Sequence, residues 1–189
     1  MKRQTLRSKS SRGRNRSRIP HSESRVPSPQ SRVPSPVVHV GYTVPRRNVP
    51  APASFRRWVE AALRSAAFRK PAEVSIRIVG AREGRALNRR YRGKDYATNV
   101  LSFPAALPQG LTSPLLGDLV ICAPVVMREA REQRKEIRHH YAHLTVHGVL
   151  HLLGYDHQNH RDAMRMERLE TRILASLGIA DPYRVQGAA

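Results

Sequence analysis

The chain has 189 residues, enough for one domain with its own hydrophobic core. It carries 34 lysine and arginine residues against 14 aspartate and glutamate residues, a formal net charge of +20. Such a charge favours a polyanionic partner, most commonly nucleic acid. The single cysteine, Cys122, excludes a disulfide framework and a cysteine-based zinc site. Since no apolar run approaches the roughly 20 residues that span a bilayer, we expect a soluble, cytoplasmic protein that is not secreted.

The first 36 residues differ in composition from the rest. They are rich in Arg, Ser and Pro, and residues 1–50 hold 12 basic residues and 1 acidic residue. Such a segment buries too little apolar surface to offset its ordering entropy, so we predict a disordered basic tail over residues 1–36 and a domain over residues 37–189. Three interpretations of the tail remain open: an RNA-binding arm, an organelle-type transit peptide, and an upstream translation start without a function.

The remaining chain predicts about four strands and about five helices, from apolar periodicity and from turn and cap residues. These strands and helices, interleaved in one domain, make an α+β or α/β sandwich, and we favour α+β with a small mixed sheet. The strand order does not follow from the sequence. In chain order the predictions are strand Val37–Val44, helix Ser54–Phe68, strand Glu73–Val79, helix Ala81–Tyr91, strands Asn99–Phe103 and Asp118–Cys122, helices Pro124–Arg138 and His140–Leu153, and a last helix capped by Asn159 and stopped by Gly178.

Histidines cluster in one short segment: seven of the nine lie between His139 and His160. A single histidine on an apolar helix is ordinarily a hydrogen-bonded core residue. His147 and His151, however, are four residues apart, which places both imidazoles on one face of a helix, one turn from each other. This spacing predicts that the two side chains bind one metal ion.

A third ligand is needed, and His143 and His157 are the candidates. His143 lies eight residues before His151, about 12 Å along a helix, whereas two ligands of one zinc ion lie only about 3–4 Å apart. Gly154 can adopt a left-handed conformation that ends the helix and turns His157 back towards the pair. We therefore predict a zinc-binding helix with a three-histidine site, which leaves one coordination position open, as in catalytic zinc sites.

The pattern H-x3-H-x2-G-x2-H has the skeleton of the metzincin zinc motif, with one departure. Metalloproteases of that type carry a glutamate directly after the first histidine, and it serves as the general base. Here Gly148 stands at that position. The sequence therefore gives no support to peptide hydrolysis by that route.

Three segments resemble the YbeY-type endoribonucleases, or rRNA maturation factors. Residues 147–157 read HGVLHLLGYDH, and this segment is similar to the family motif without a mismatch. Two further similar blocks precede it, Tyr91–Pro104 (YRGKDYATNVLSFP) and Leu116–Cys122 (LGDLVIC). The resemblance covers roughly Val37–Tyr183. The basic tail departs from the family, which normally lacks such an extension.

The resemblance implies a zinc-dependent endoribonuclease that cleaves single-stranded RNA in 16S rRNA 3′-end maturation and ribosome quality control. It implies one zinc ion per chain with His147, His151 and His157 as ligands, and it marks Arg92 as a functional arginine. We expect Arg92 and His147 to be the catalytic residues. The expected partners are single-stranded RNA, small-subunit rRNA and ribosome-associated proteins, and neither a membrane nor DNA is expected.

Chemical reasoning extends these expectations to neighbouring polar residues. The Arg92 guanidinium can bind two phosphate oxygens while negative charge builds up on them. Lys94 and His143 are candidate substrate-binding residues, and Lys94 and Asn99 are candidate groove residues, although a solvated, turn-forming or packed role suits them as well. Asp156 is expected to orient a ligand histidine rather than to act as a weak base. A zinc peptidase and a non-catalytic RNA-binding assembly factor remain the alternatives.

Overall fold

The computed structural model of the chain describes residues 34–108, 110–156 and 159–184. The predicted third ligand, His157, and almost all of the predicted tail lie outside these ranges. The described residues form four strands and five helices, as the sequence predicts. In chain order these are β1 (Val37–Tyr42), α1 (Pro52–Ser65), β2 (Glu73–Val79), α2 (Ala81–Arg92), β3 (Val100–Pro104), β4 (Leu115–Cys122), α3 (Ala123–Glu132), α4 (Ile137–Leu152) and α5 (His160–Ser176).

The strands form one mixed sheet in the order β1-β2-β4-β3. β1 and β2 are parallel, as are β2 and β4, whereas β3 runs antiparallel to β4 at one edge. This mixed pairing confirms the predicted α+β class. The strand predicted over Asn99–Phe103 extends to Pro104, which is the last residue of β3 and lies opposite Gly117. An edge strand tolerates proline there because one side of it needs no ladder bond.

Helices cover the two faces of the sheet unequally. Val74, Ile76 and Ile78 alternate along β2 and contribute to the main core, which the sheet forms with α1, α4 and α5. On the other face a smaller cluster that includes Val79 and Val120 packs against α2 and the start of α3. Helix α4, which carries the histidines, contacts β3, β4, α1, α3 and α5. In the ranges that the structure describes, no helix has both the length and the apolar character needed to cross a membrane.

One predicted helix is wrong in its extent. Pro124–Arg138 was expected to be continuous, but α3 ends at Glu132. Arg134 has a φ of 51°, in the left-handed region, and the Lys135 N–H donates to the Ala130 carbonyl. This turn separates α3 from α4.

Candidate active site

Helix α4 brings the two central histidines together. His147 Nε2 and His151 Nε2 lie 3.1 Å apart, and the centroids of the two rings are separated by 4.6 Å. Two nitrogens bound at 2.0–2.1 Å to one tetrahedral zinc ion lie about 3.3 Å apart. The two imidazoles therefore fit a shared metal ion in donor type and in spacing.

The chain beyond these two histidines turns as the sequence predicts. Gly154 has a φ of 86°, its N–H donates to the His151 carbonyl, and the Tyr155 N–H donates to the Leu150 carbonyl. These hydrogen bonds end α4, and the chain then continues to Asp156. Among the described residues no three His, Cys, Asp or Glu side chains are grouped to hold a metal ion, and His157 lies outside them.

A buried carboxylate on α5 fixes the orientation of His147. Glu170 is 0% exposed, and its Oε1 accepts a hydrogen bond of 2.9 Å from His147 Nδ1. Its Oε2 accepts one of 3.0 Å from His143 Nε2 and another from the Tyr183 hydroxyl. Since a carboxylate only accepts, His147 carries its proton on Nδ1 and directs Nε2 towards His151.

The same hydrogen bonds keep Glu170 ionised. Burial raises the pKa of this carboxyl, but the donors on His143 and His147 outweigh burial and lower the pKa to about 2. Burial lowers the pKa of His143 below its usual value, which favours a neutral ring. Glu170 therefore provides a fixed negative charge behind His147, in the arrangement that orients metal-binding histidines in other proteins.

Five of the residues predicted for the site lie around one cavity of about 510 Å³. Arg92 reaches it from the C-terminal end of α2, and Asn99, which was named as a groove residue, reaches it from the start of β3. The structure thus brings a guanidinium and two imidazoles to one cavity from different elements. The cavity is lined by Arg92, Thr98, Asn99, Val100, Ser102, Pro104, His147, His151, Gly154, Tyr155 and Asp156.

Asn99 is held by a second, half-buried hydrogen-bond network. Its Nδ2 donates to the Glu129 carboxylate at 3.1 Å, and its Oδ1 accepts from the Val100 N–H at 2.7 Å. Glu129 also accepts from His140 Nε2 at 2.8 Å. Burial raises the pKa of Glu129, but the bonds from His140 and Asn99 leave it below its usual value. The Asn99 side chain is therefore fixed at the cavity wall.

Two of the proposed substrate-binding residues lie elsewhere. His143 does not line this cavity. It lines another one, of about 650 Å³, where its ring contacts Tyr183 with 5.5 Å between ring centroids. Lys94 is exposed in the turn after α2 and is not among the residues that line the 510 Å³ cavity.

Gly148 faces the sheet at a point of close approach. A Cβ at this position would lie 2.8 Å from Leu119 Cδ2 and 3.3 Å from Ser102 Oγ. Leu119 is fully buried, so it has little room to move aside. At the position where metalloproteases carry their general base, this chain therefore has a glycine, which allows α4 to pack closely against the sheet.

Sequence reasoning missed Glu170, although a signal was present. The residue lies on the apolar side of α5, between Met166 and Leu169 on one side and Ile173 and Leu174 on the other, and all four are buried. A carboxylate within the buried stripe of an amphipathic helix requires a hydrogen-bonding partner inside the protein. The sequence does not show that the partner is His147, because α4 and α5 meet only in the folded chain.

Comparisons with known proteins agree with the motifs. A family model described as Endoribonuclease YbeY matches residues 46–178. The chain is 62% identical over 150 residues to endoribonuclease YbeY of Stenotrophomonas maltophilia (strain R551-3), with 77% of this chain and 92% of that protein covered. For endoribonuclease YbeY of Xanthomonas campestris pv. campestris (strain B100) the identity is 59% with the same coverage. The solution structure of TM1509 from Thermotoga maritima aligns at 19% identity and a TM-score of 0.49, covering 78% of this chain and 99% of that one. By its family model and its close relatives, the chain belongs to the YbeY family of endoribonucleases.

Proposed function

We propose that this protein is a zinc-dependent endoribonuclease that cleaves single-stranded RNA and acts in 16S rRNA 3′-end maturation and ribosome quality control. The observation that carries the proposal is the shared cavity, which is lined by Arg92 and by His147 and His151, whose Nε2 atoms lie 3.1 Å apart. Family membership supplies the reaction class, since the relatives are named endoribonucleases. The proposed partners are ribosome-associated proteins, and the proposed location is the cytoplasm.

His147 and His151 would hold the metal, with His157 as the proposed third ligand. The Glu170 hydrogen bond supports this assignment, because it leaves His147 Nε2 as the nitrogen that can bind an ion. A zinc ion held there would supply Lewis-acid activation of phosphate and of water. Binding of the ion at this site would require both imidazoles to be neutral.

Arg92 would bind the phosphate group that is being cleaved. A guanidinium donates two parallel hydrogen bonds to two phosphate oxygens, which gain negative charge in the transition state. Asn99, fixed by Glu129, offers an amide on the same wall. Asp156 also lines the cavity, where it would orient a ligand histidine.

The decisive experiment combines metal replacement with a histidine substitution in the full chain. Protein stripped of metal is refilled with zinc, manganese or magnesium, and the cleavage of single-stranded and duplex RNA is compared. Zinc should restore cleavage of the single strand in the wild type but not in His147→Ala. His139→Ala, whose ring pairs with Glu136 at the surface, is the matched control and should behave as wild type.

Two results would overturn the proposal. If RNA stays intact with every metal while wild type and His147→Ala bind it equally, the protein is a non-catalytic RNA-binding factor. If zinc-loaded protein cleaves a peptide and not RNA, it is a peptidase. The contact of Gly148 with Leu119 counts against the second result, since it leaves little space for a glutamate.

A further inference from the structure

Helix α5 carries a row of exposed arginines that the proposed catalytic site does not use. At 100° per residue the four side chains fall within an arc of about 60°, and they extend for about 16 Å along the helix. We call this row the arginine face. It consists of Arg161, Arg165, Arg168 and Arg172, all of them exposed.

The arginine face borders a groove that shares one wall residue with the catalytic cavity. The groove has a volume of about 960 Å³, and the C-terminal end of α1 forms its opposite wall. Tyr155 lines this groove and also the cavity that contains His147 and His151. The Arg165 guanidinium carbon lies 5.5 Å from the centroid of the Tyr155 ring. An RNA strand that leaves the catalytic cavity past Tyr155 would therefore run along the arginine face.

The positive charge of this row is largely unbalanced among the residues that the structure describes. In the described part of the chain, no ion pair involves any of the four arginines. Of the three acidic residues of α5, only Asp162 lines the groove, where its carboxylate accepts a hydrogen bond from Asn159 Nδ2. Glu170 is buried, and Glu167 lies outside the arc, so four arginines stand against one carboxylate. The groove thus keeps a net positive charge beside the catalytic cavity.

We infer that the arginine face binds the phosphate backbone of the RNA strand on one side of the cleaved bond. The inference rests on the proposed function, because that function places the cleaved bond in the cavity that adjoins Tyr155. A backbone contact of this kind adds affinity for longer substrates without selecting their sequence. Exposed arginines at this spacing are also compatible with an acidic protein surface, but the position of the groove beside the catalytic cavity, with Tyr155 in the wall of both, favours RNA.

Salt dependence of binding tests the inference directly. The double variant Arg165→Gln/Arg168→Gln is compared with wild type for binding a nuclease-resistant 2′-O-methyl single-stranded RNA that is long enough to cross both cavities. Each lost phosphate contact lowers the slope of log affinity against log salt by about 0.7, so the double variant should lose about 1.4. Its affinity at 0.1 M salt should fall on the order of tenfold.

Two control variants distinguish the loss of phosphate contacts at the arginine face from a general loss of positive charge. Arg165→Lys/Arg168→Lys keeps both charges and should retain the wild-type slope. Arg56→Gln/Arg57→Gln removes the same charge from an exposed part of α1 outside both cavities and should leave the slope near wild type. Thermal melting checks that each variant is folded. Equal slopes for the α5 and α1 glutamine variants would overturn the inference, and binding of an acidic protein would then explain the row.

Cleavage assays keep this inference distinct from the proposed function. On RNA too short to reach past Tyr155, the double glutamine variant should have the wild-type kcat and KM. On longer RNA its KM should rise on the order of tenfold with kcat unchanged. A wild-type protein that cleaves neither RNA contradicts the proposed function, whereas the salt slopes still decide whether the arginine face binds RNA. An equal KM increase on short and long RNA would contradict the inference.

Discussion

The two sides of α5 use charge in opposite ways. On the buried side, one carboxylate, Glu170, accepts hydrogen bonds from His143, His147 and Tyr183 and has no contact with solvent. On the exposed side, the arginine face carries four guanidinium groups without a carboxylate partner among the described residues. A single helix thus contributes to both the candidate metal site and the groove beside it.

The difference shows how a site for chemistry differs from a site for binding. A buried charge acts at fixed distances in a medium of low polarity, so a change of one atom alters the geometry of its partner. Exposed charges are screened by salt and act together, so each contributes a small share. Substitutions on the buried side should therefore change metal binding and kcat, while those on the exposed side should change salt-dependent affinity.

The largest effect is expected at a proposed metal ligand. His151→Ala should lose metal and reduce RNA cleavage on the order of 10³-fold, because loss of an activating metal removes several kcal/mol of transition-state stabilisation. Bound metal per chain and initial cleavage rates measure this change. His139→Ala keeps the same helix and should retain both. A His151→Ala variant that still holds stoichiometric metal and cleaves RNA would contradict the role of His151 as a metal ligand.

The next effect compares the two sides of α5 with one type of substitution. Glu170→Gln should weaken metal binding by about 10- to 100-fold, since an amide orients His147 less firmly than an ionised carboxylate. Competition with a chelator measures the affinity without relying on activity. Glu167→Gln removes one exposed negative charge from the same helix and should leave metal affinity unchanged. Equal effects in the two variants would mean that overall charge, rather than the bond to His147, governs metal binding.

The sequence predicts those parts of the fold that depend on local patterns. Alternating apolar residues predict β2 with its observed ends, and Asn159 caps α5 as expected. The break after α3 was missed because Gln133-Arg134-Lys135 contains neither glycine nor proline, so nothing local marks the left-handed Arg134. Strand order was also beyond reach, since the pairing of β4 between β2 and β3 depends on contacts between distant segments.

In the candidate site too, the features set by local sequence were predicted and those that depend on distant contacts were not. The spacing of His147 and His151 and the turn at Gly154 are local, and the structure has both as predicted. The ligand role of His157 stays a prediction, as do the roles assigned to Arg92, Lys94, His143 and Asp156. Glu170 was missed because its bond to His147 spans 23 positions and forms only when α5 packs on α4.

Substitution of Arg92 tests whether this exposed arginine takes part in the cleavage reaction. Arg92→Lys keeps the charge but loses the paired donors, so kcat should fall about tenfold or more while the salt slope of RNA binding stays near wild type. Kinetics at two salt concentrations distinguish the two quantities. Arg90→Lys is the matched control, since Arg90 lies two residues earlier in α2 with its guanidinium carbon 5.4 Å from the centroid of the Tyr91 ring. A lower salt slope with an unchanged kcat would place Arg92 with the arginine face instead.

The smallest effect is expected at Tyr183, which contacts the same carboxylate from the C-terminal segment. Tyr183→Phe removes one of the two donors to Glu170 Oε2 but leaves the His147 bond to Oε1 in place. Metal affinity should therefore fall only a few-fold, less than in Glu170→Gln, and stability should fall by about 1–3 kcal/mol, as for the loss of a hydrogen bond to a charged group. Chelator competition and denaturant unfolding of the metal-free protein measure the two quantities. If metal affinity fell as far as in Glu170→Gln, the Tyr183 hydroxyl rather than the bond to Oε1 would set the orientation of His147, and the buried side of α5 would depend on the C-terminal segment for its geometry.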